Sequence, residues 1–259
     1  QFIAEGLDQT RGWFYTLLVL STALFDKPPF LNCVVNGMVL AEDRTKMSKS
    51  KRNYPPVDRI LDEYGADALR AYLINSPVVR AEPLAFSESG VKEVIRTVLI
   101  PLLNAWSFFV QYANVDGWTP TDGLPGVATP EPHSRPDLDR WLVSVQQSLV
   151  AQVNEQMEGY HLNRVVPPIL GFIDHLTNWY IRRSRRRFWR TATTDEQRFD
   201  KAAAYATLYE SLVTFAKVLA PVMPFMSEAL YQHLVVDTGC AQPKEDSVHL
   251  CHYPEVSSD

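Results

Sequence analysis

The chain has few cysteines. Only three of its 259 residues are cysteine, at Cys33, Cys240 and Cys251. Small secreted folds that depend on disulfides carry more cysteines, usually in even numbers. The low, odd count excludes a disulfide framework and favours reduced thiols, so we expect a cytoplasmic location.

The chain also lacks a long uninterrupted apolar run, and no signal peptide precedes its first segment. Residues 13–25 are uncharged, but a helix needs about 20 residues to span a bilayer. The longer apolar stretch 94–112 is interrupted by Arg96 and Pro101, among others. We interpret both stretches as buried helices and expect no membrane partner.

Positive charge is not in excess overall, because the formal net charge is −5. Any contact with nucleic acid must therefore come from a local patch. Hydrophobic residues make up 46% of the chain and charged residues 21%, which allows a sizeable core in one large or two ordinary domains.

Two further absences concern the first half of the chain. The first residue is Gln1, not methionine, and a dense motif begins by Glu5, so we interpret the sequence as an internal piece of a longer protein. No histidine precedes His133, which excludes a histidine-based nucleotide motif in the first half.

The strongest motif is Lys46-Met47-Ser48-Lys49-Ser50. It lies between an apolar, β-rich run at 32–40, interpreted as one buried strand, and a helical pattern that begins near Val57. Paired ammoniums and hydroxyls suit a polyphosphate, and loops between strands and helices hold ligands in α/β folds. A solvated lysine-rich loop is the plainer alternative. Gly37, inside the strand, permits a bulge or the close approach of a ligand.

A second polar cluster comes earlier in the chain and comprises Glu5, Asp8 and Gln9, followed by Trp13. Carboxylates suit a ribose or an ammonium, and an indole suits an aliphatic side chain. The alternative is an ordinary acidic bias at the start of a helix predicted for residues 11–24.

Together these motifs carry a family resemblance. The run Glu5-Gly6-Leu7-Asp8-Gln9-Thr10-Arg11-Gly12-Trp13-Phe14, followed by the lysine loop, resembles the isoleucyl-tRNA synthetases among class I aminoacyl-tRNA synthetases. Residues 75–82 and 176–180 look most like the eukaryotic cytoplasmic branch. Valyl-tRNA synthetases share the lysine loop and are the alternative family.

The resemblance implies a fold and an activity. The fold would be the α/β C-terminal half of a Rossmann-like catalytic domain, followed by an all-α anticodon-binding bundle. The parent enzyme would activate isoleucine with ATP and Mg²⁺, with no other bound metal in this chain, and transfer it to tRNA(Ile). Editing, oligomeric state and membership of a multi-synthetase assembly are not indicated.

The resemblance also implies residue roles. The ATP phosphates would be bound by Lys46, Ser48 and Lys49, whose ammoniums stabilise charge as pyrophosphate leaves. The adenylate would contact Glu5, Gly6, Asp8, Gln9, Asn36, Gly37 and Met38. The isoleucine pocket would be formed by Gln9 and Trp13.

One departure from the family pattern bears on activity. The family needs an upstream His-Ile-Gly-His-type motif, which this sequence does not contain. We therefore expect that this polypeptide alone does not activate isoleucine. A non-catalytic tRNA-binding or scaffold module derived from a synthetase is the alternative function.

The second half of the sequence has a helical pattern. We predict a catalytic part at 1–90, a connector helix and Pro/Gly-rich linker at 91–136, and a helical domain at 137–259. Within that domain, helices are predicted from Asp137, which serves as a cap, and at 163–190, 195–220 and 224–234. A polar tail follows, with a β-like run at 247–253.

Six arginines fall within positions 182–190 of this helical half. Guanidiniums bind phosphates in a forked geometry and stack on exposed bases. The density of the cluster predicts tRNA binding by Arg182, Arg183, Arg186, Arg187 and Arg190. The alternatives are a solvated basic face paired with nearby acids, or a contact with anionic lipid.

Histidines and cysteines near the C-terminus do not have metal-site spacing. The residues concerned are Cys240, His249, Cys251 and His252. They lack the paired Cys-x-x-Cys arrangement, so we predict no metal there. His161 and His175 are interpreted as packing or capping residues.

Overall fold

The computed structural model describes residues 2–239 and 245–257. The chain begins with a parallel β-α-β unit: strand β1 (Phe2–Gly6), helix α1 (Trp13–Phe25) and strand β2 (Asn32–Asn36). A 3₁₀ turn, Leu7–Arg11, joins β1 to α1. In the register of the pair, Gly6 lies opposite Asn36, so both strands end at the same edge.

The single strand predicted at 32–40 is instead two strands. After β2, strand β3 (Val39–Leu40) pairs in parallel with strand β4 (Leu84–Ala85). The break falls at Gly37, whose N–H donates to Val78 O at 2.7 Å. A Cβ at Gly37 would lie 1.9 Å from Glu82 O, so the glycine admits a neighbouring backbone rather than a ligand.

The strand is also less buried than predicted. Asn32 and Cys33 are exposed, because the sheet formed with β1 has only two strands in the described part of the chain. Helix α1 similarly buries Phe14 but exposes Leu18 and Leu24.

Two short helices follow the lysine loop: α2 (Val57–Tyr64) and α3 (Ala66–Ile74). Gly65 ends α2 as predicted, with φ at +81° and its N–H bonded to Leu61 O. Ile60 and Ala68 pack with Phe86 and Val91 in a small core cluster.

The remaining helices form a bundle around the main core. After α4 (Glu88–Val94), whose Val91 packs in the small cluster, they are α5 (Ile100–Asp116), α6 (Asp137–Glu158), α7 (Val166–Asp174), α8 (Arg182–Trp189), α9 (Asp195–Leu219) and α10 (Pro224–Tyr231). Leu102 of α5, Leu142 of α6 and Leu212 of α9 are fully buried in one cluster. Helix α5 therefore packs in the core of the bundle instead of merely leading to it.

Three π-helical segments interrupt the helices, at Ile95–Leu99, His175–Ile181 and Gln232–Val236. The first ends two residues before Pro101, which has no N–H to donate. The second joins α7 to α8 without a break in the helical backbone.

One predicted helix cap differs from the structure, and one aspartate near a helix start has a distant partner. Asp137 is the first residue of α6 and does not cap it, because Pro136 occupies the N-cap position. Asp67 lies inside α3, and its carboxylate instead accepts the N–H groups of Phe225 (3.3 Å) and Met226 (2.6 Å) at the start of α10. Asp67 thus joins the first part of the chain to the bundle.

A neighbouring arginine adds to this junction. Arg70, one turn after Asp67, donates to the carbonyl oxygens of Pro221 at 2.9 Å and Val222 at 3.2 Å. Both carbonyls lie in the turn between α9 and α10, so Arg70 of α3 is hydrogen-bonded to two successive residues of that turn.

The predicted linker at 115–136 is packed on the bundle. Trp118 and Leu124 in this segment are each 8% exposed and belong to the main core cluster. Arg135, also buried, forms an ion pair with Glu210 of α9 at 2.6 Å. The segment is therefore an ordered connection rather than a free spacer.

The tail does not form the predicted strand. Residues Val248–Leu250 adopt a 3₁₀ turn, held by the Glu228 carboxylate, which accepts the Ser247 hydroxyl and the Val248 N–H at 2.9 Å each.

The apolar stretch predicted to be buried forms the helix Glu88–Asp116. In the described chain it is long and apolar enough to cross a membrane by length and composition alone. Val98, Leu102, Ala105 and Phe109 on this helix pack into the main core cluster, as predicted for a core helix.

Candidate functional site

The first group of predicted site residues lies where β1 and β2 end. Glu5 and Gly6 finish β1, Asn36 finishes β2, and the register places Gly6 beside Asn36. Because parallel strands share an edge, the 5–9 segment and the 36–38 segment meet there. Glu5, Asn36 and Met38 are exposed at this edge.

Gln9 has a structural task at this edge. Its Oε1 accepts the Trp13 N–H at 3.0 Å, and its Nε2 donates to Asp8 Oδ2 at 3.1 Å. The side chain therefore satisfies a free amide at the start of α1. The Trp13 indole that follows is 53% exposed and lies outside the described core.

The lysine loop begins beside strand β3. Lys46 forms an antiparallel bridge with Leu40, which lies only two residues after Met38. A tight turn precedes the loop, with Ala41 N–H bonded to Thr45 O at 2.9 Å. Hydrogen bonds from the Thr45 hydroxyl and backbone lower the pKa of the Asp43 carboxyl in that turn. The loop thus starts from a fixed point next to the strand edge.

Within the loop, some side chains anchor the backbone and others are exposed to solvent. Met47 packs against the small cluster around Ile60. Lys46 and Lys49 are exposed, and Ser48 Oγ lies 2.8 Å from Ser50 Oγ. Two ammoniums on an anchored backbone, with one hydroxyl between them and a second directly after, form a set of donors suited to phosphate oxygens.

A groove of about 320 Å³ runs beside the loop. Its lining includes Met47, Arg52, Asn53, Arg59 and Glu88. Arg59 is already ion-paired with Glu88 and, at 3.4 Å, with Glu63. Arg52, by contrast, has no carboxylate within 4 Å among the described residues, and neither have Lys46 and Lys49 of the loop nor Lys51 that follows it.

The second group of predicted site residues lies on α8. Arg182, Arg183, Arg185 and Arg186 are exposed, and none has a carboxylate within 4 Å in the described part of the chain. The guanidinium of Arg183 lies 3.7 Å from the centre of the Trp179 ring. Trp179 and Trp189 are 45% and 58% exposed at the two ends of this surface. We call these six residues the Arg–Trp face.

Arg187 and Arg190 belong to a different environment. Arg187 donates to both oxygens of Asp139, at 2.7 and 2.6 Å, and its Nε lies 2.9 Å from Asp200 Oδ1. Arg190 binds the second oxygen of Asp200 at 2.5 Å. The alternative of a basic face paired with acids thus holds for these two arginines, which point away from the Arg–Trp face.

The Asp139 group is deeply buried. Asp139 has no exposed side-chain surface, and it also accepts the Tyr180 hydroxyl at 2.6 Å. Burial lowers the pKa of Arg187, but the hydrogen bond to Asp139 and the surrounding charges, including Asp139 and Asp200, together outweigh it and raise the Arg187 pKa. Burial and the Asp139 charge raise the pKa of Tyr180. Arg187 is thereby held as a cation inside the bundle and is not accessible to a ligand.

Sequence reasoning missed three residues at these sites. Asp139 lies 48 positions before Arg187, so no local pattern indicated the pair. Arg185 lies in the same run but was left out of the predicted contacts, although its spacing from Arg182 and Trp189 puts it on their face. Asn53, the third, hydrogen-bonds within the lysine loop.

The C-terminal histidines and cysteines are not brought together as a metal site. Within residues 2–239 and 245–257, no three His, Cys, Asp or Glu side chains are arranged to hold an ion. Cys33 and Cys251 are free thiols, and Cys240 lies outside the described residues. His175 packs edge-on against Trp141.

Both parts of the chain match known families. Residues 1–85 match the family of class I tRNA synthetases (I, L, M and V), and residues 139–259 match the anticodon-binding domain of tRNA ligases. In two successive parts, the chain is therefore similar to class I tRNA synthetases and to the anticodon-binding domain of tRNA ligases. Within that class it is similar to isoleucine–tRNA ligases: it is 51% identical to that of Chlamydia muridarum, 50% to that of Chlamydia pneumoniae and 48% to that of Treponema denticola.

These alignments cover 98%, 100% and 99% of this chain. They cover 23% of each relative, so the chain spans about a quarter of the length of the proteins it matches. All three relatives are bacterial and give no support to the expected eukaryotic branch.

A solved structure confirms the fold at lower identity. The crystal structure of a ternary LeuRS–tRNA–LeuAMS complex from Agrobacterium radiobacter K84 superposes with a TM-score of 0.70 at 20% identity. The match covers 99% of this chain and 28% of that one. The arrangement is thus that of a class I catalytic part followed by an anticodon-binding domain, while the finer Rossmann-like description of the first part remains a prediction.

Proposed function

We propose that this chain is the part of an isoleucine–tRNA ligase that holds the ATP phosphates at one end and the tRNA at the other. The parent enzyme activates isoleucine with ATP and Mg²⁺ and transfers it to tRNA(Ile). The observation that carries the proposal is the Arg–Trp face, combined with an anchored lysine loop in the same chain.

The lysine loop supplies electrostatic stabilisation. As the adenylate forms, negative charge gathers on the leaving pyrophosphate, and the Lys46 and Lys49 ammoniums are free to neutralise it. Ser48 supplies a hydroxyl at the same place. A pre-positioned cation needs no reorganisation when the charge develops, which is why an anchored loop suits this task.

The strand edge supplies the nucleoside and amino-acid contacts. Glu5, Gly6, Asp8 and the 36–38 segment surround the adenylate, and Trp13 forms one wall of the isoleucine pocket. The indole is exposed at the start of α1, which supports contact with a ligand. Gln9 contributes chiefly by fixing Trp13 through its backbone amide.

The Arg–Trp face binds tRNA. Its four unpaired guanidiniums contact phosphates, and its two indoles offer stacking surfaces to unpaired bases. The proposal leaves out Arg187 and Arg190, because Asp139 and Asp200 already occupy them. An RNA is favoured over a lipid surface because residues 139–259, which include this face, match the anticodon-binding domain of tRNA ligases.

The chain alone is proposed to bind tRNA without activating isoleucine. Much of the apolar surface of α1 is exposed, including Leu20, Leu24 and Phe25. A site built at that edge needs further protein to cover it and to exclude water. We also propose a cytoplasmic location, which the free thiols of Cys33 and Cys251 support.

The test measures tRNA(Ile) binding by this chain at two salt concentrations, beside ATP–pyrophosphate exchange with isoleucine. Arg182→Ala with Arg186→Ala should weaken binding and lower the salt slope by about one for each phosphate that the variant no longer neutralises. Arg140→Ala, an exposed arginine of α6 paired with Asp137, is the matched control.

Each outcome bears on the proposal. Binding without exchange supports it. Exchange by the chain alone would refute the need for further protein, and failure to bind tRNA would refute the role of the Arg–Trp face. Equal tRNA binding by the double variant and the wild type would show that the Arg–Trp face has another role.

A further inference from the structure

The Asn53 side chain is hydrogen-bonded to the backbone of the lysine loop at two positions, Lys46 and Ser48. The Asn53 amide donates through Nδ2 to Lys46 O at 3.1 Å and to Thr45 Oγ1 at 3.0 Å. Its Oδ1 accepts the Ser48 N–H at 2.9 Å. All three bonds span five to eight residues, so Asn53 ties the end of the loop back onto its beginning.

The backbone around Asn53 supports this arrangement. Arg52, just before it, has a left-handed φ of 48°, and its N–H bonds to Ser48 O at 2.9 Å. At the other end, Asp43 Oδ1 accepts the Thr45 hydroxyl at 2.7 Å, which leaves the lone pairs of that hydroxyl free for Asn53. The Asn53 side chain is itself half-buried beside the groove.

We infer that Asn53 is a positioning residue for the lysine loop: its carboxamide fixes the backbone at Lys46 and Ser48, so that the ammoniums of Lys46 and Lys49 are aimed at the nucleotide phosphates. The inference rests on the proposed function. Asn53 does not itself touch the phosphates. It acts through Lys46 and Lys49, whose exposed side chains would otherwise sample many directions.

The chemistry requires an amide at this position. A carboxamide carries, on two separate atoms, a donor for the Lys46 carbonyl and an acceptor for the Ser48 N–H, which neither a carboxylate nor a methyl group does. Asn53→Asp keeps the acceptor but turns an oxygen toward Lys46 O, and Asn53→Ala removes both. The two variants therefore separate the contributions of the two ends of the side chain.

The test is a double-mutant cycle in the full-length protein that contains this chain, read by ATP–pyrophosphate exchange. Asn53→Ala should lower kcat about 10- to 100-fold, because small misplacements of a catalytic group cost that much. The KM for isoleucine should not change. Lys49→Ala should lower kcat at least as far, and adding Asn53→Ala to it should lower kcat by less than about threefold more.

Matched controls separate positioning from folding. Asn75→Ala removes an exposed carboxamide at the end of α3 and should leave exchange unchanged. Melting temperatures of all variants show whether the fold is retained. Should Asn53→Ala melt early, the same cycle is run with Asn53→Asp, which should lose as much kcat if the Lys46 carbonyl bond is what orients the loop.

The outcomes distinguish the two claims. If Lys49→Ala leaves exchange intact, the proposed function of the loop is overturned, and the inference with it. If Lys49→Ala lowers kcat but the two substitutions are additive, or if Asn53→Ala raises the KM for isoleucine instead of lowering kcat, only the inference about Asn53 is overturned.

Discussion

Two neighbouring arginines on α8 should respond in opposite ways to the same substitution. Arg187→Ala removes the partner of Asp139, a carboxylate with no exposed surface. Arg186→Ala removes an exposed guanidinium with no carboxylate partner in the described chain. The first should destabilise the bundle, whereas the second should weaken tRNA binding and leave the bundle intact.

The size of the effect follows from burial. The Arg187 side chain is 12% exposed and makes two hydrogen bonds to Asp139. Removing one member of a buried ion pair costs about 3–5 kcal/mol, because the other charge stays buried and unpaired. For a chain of this size that corresponds to a melting temperature lower by roughly 6–20 °C. Arg186→Ala should stay within about 0.5 kcal/mol of wild type.

Thermal unfolding followed by far-UV circular dichroism measures both variants, with tRNA binding measured at low temperature. The loss of stability comes mainly from the Asp139 carboxylate, which stays buried without its partner. Adding Asp139→Asn to Arg187→Ala should therefore recover part of the lost free energy of unfolding. Equal melting temperatures for Arg187→Ala and Arg186→Ala would refute the reasoning, since the buried pair would then contribute nothing.

Three further predictions concern stability. Asp67→Ala should cost about 1–2 kcal/mol in chemical unfolding, because two amides at the start of α10 lose their acceptor, whereas the exposed Asp58→Ala should cost little. Gly37→Ala should cost about 1–3 kcal/mol or more, since its Cβ meets Glu82 O at 1.9 Å, while Gly171→Ala, with open space around it, should be tolerated. Burial raises the pKa of the Glu228 carboxyl, but its hydrogen bonds lower that pKa by more, to below its ordinary value of 4.5. The charged carboxylate should therefore hold the tail above that pH and release it as the pH falls further. Proteolysis of the tail against pH checks this, and Glu228→Gln should flatten the profile.

Helices were the part of the fold best predicted from sequence. The predicted helix at 195–220 is observed as Asp195–Leu219, and the one that starts at 137 is observed as Asp137–Glu158. Apolar residues repeat along these segments at helical spacing, and that signal is local. Caps were less predictable, because the partner of Asp67 at Phe225 is 158 residues away.

Strands were predicted poorly for a related reason. The β-rich run at 32–40 does break at Gly37. The glycine itself indicated a bulge or a close approach, but it did not indicate that the approaching group is the backbone of residue 82. The run at 247–253 has the composition of a strand but no neighbouring strand to pair with in the described chain, and it turns into a 3₁₀ helix instead.

The candidate site shows the same limit. The lysine loop and the arginine cluster stood out in the sequence because their composition is dense and local. Which arginines are free depends on Asp139 and Asp200, which lie on other helices and approach α8 only after folding. Charge density therefore located the basic surface, and ion pairing determined which of its residues can meet a ligand.

The π-helical segment His175–Ile181 sets the direction in which the Arg–Trp face points. The backbone runs as a helix from Val166 to Trp189 without interruption, so one rod carries both the buried stripe of α7 and the exposed face of α8. Successive residues of an α-helix are offset by about 100° around the axis. Loss of a single residue from this π-helical segment would leave α7 packed in the core. It would rotate every arginine of α8 about the helix axis by about that angle. The length of this segment, as much as its composition, therefore constrains how such proteins can change: here a one-residue deletion would be costlier than most substitutions.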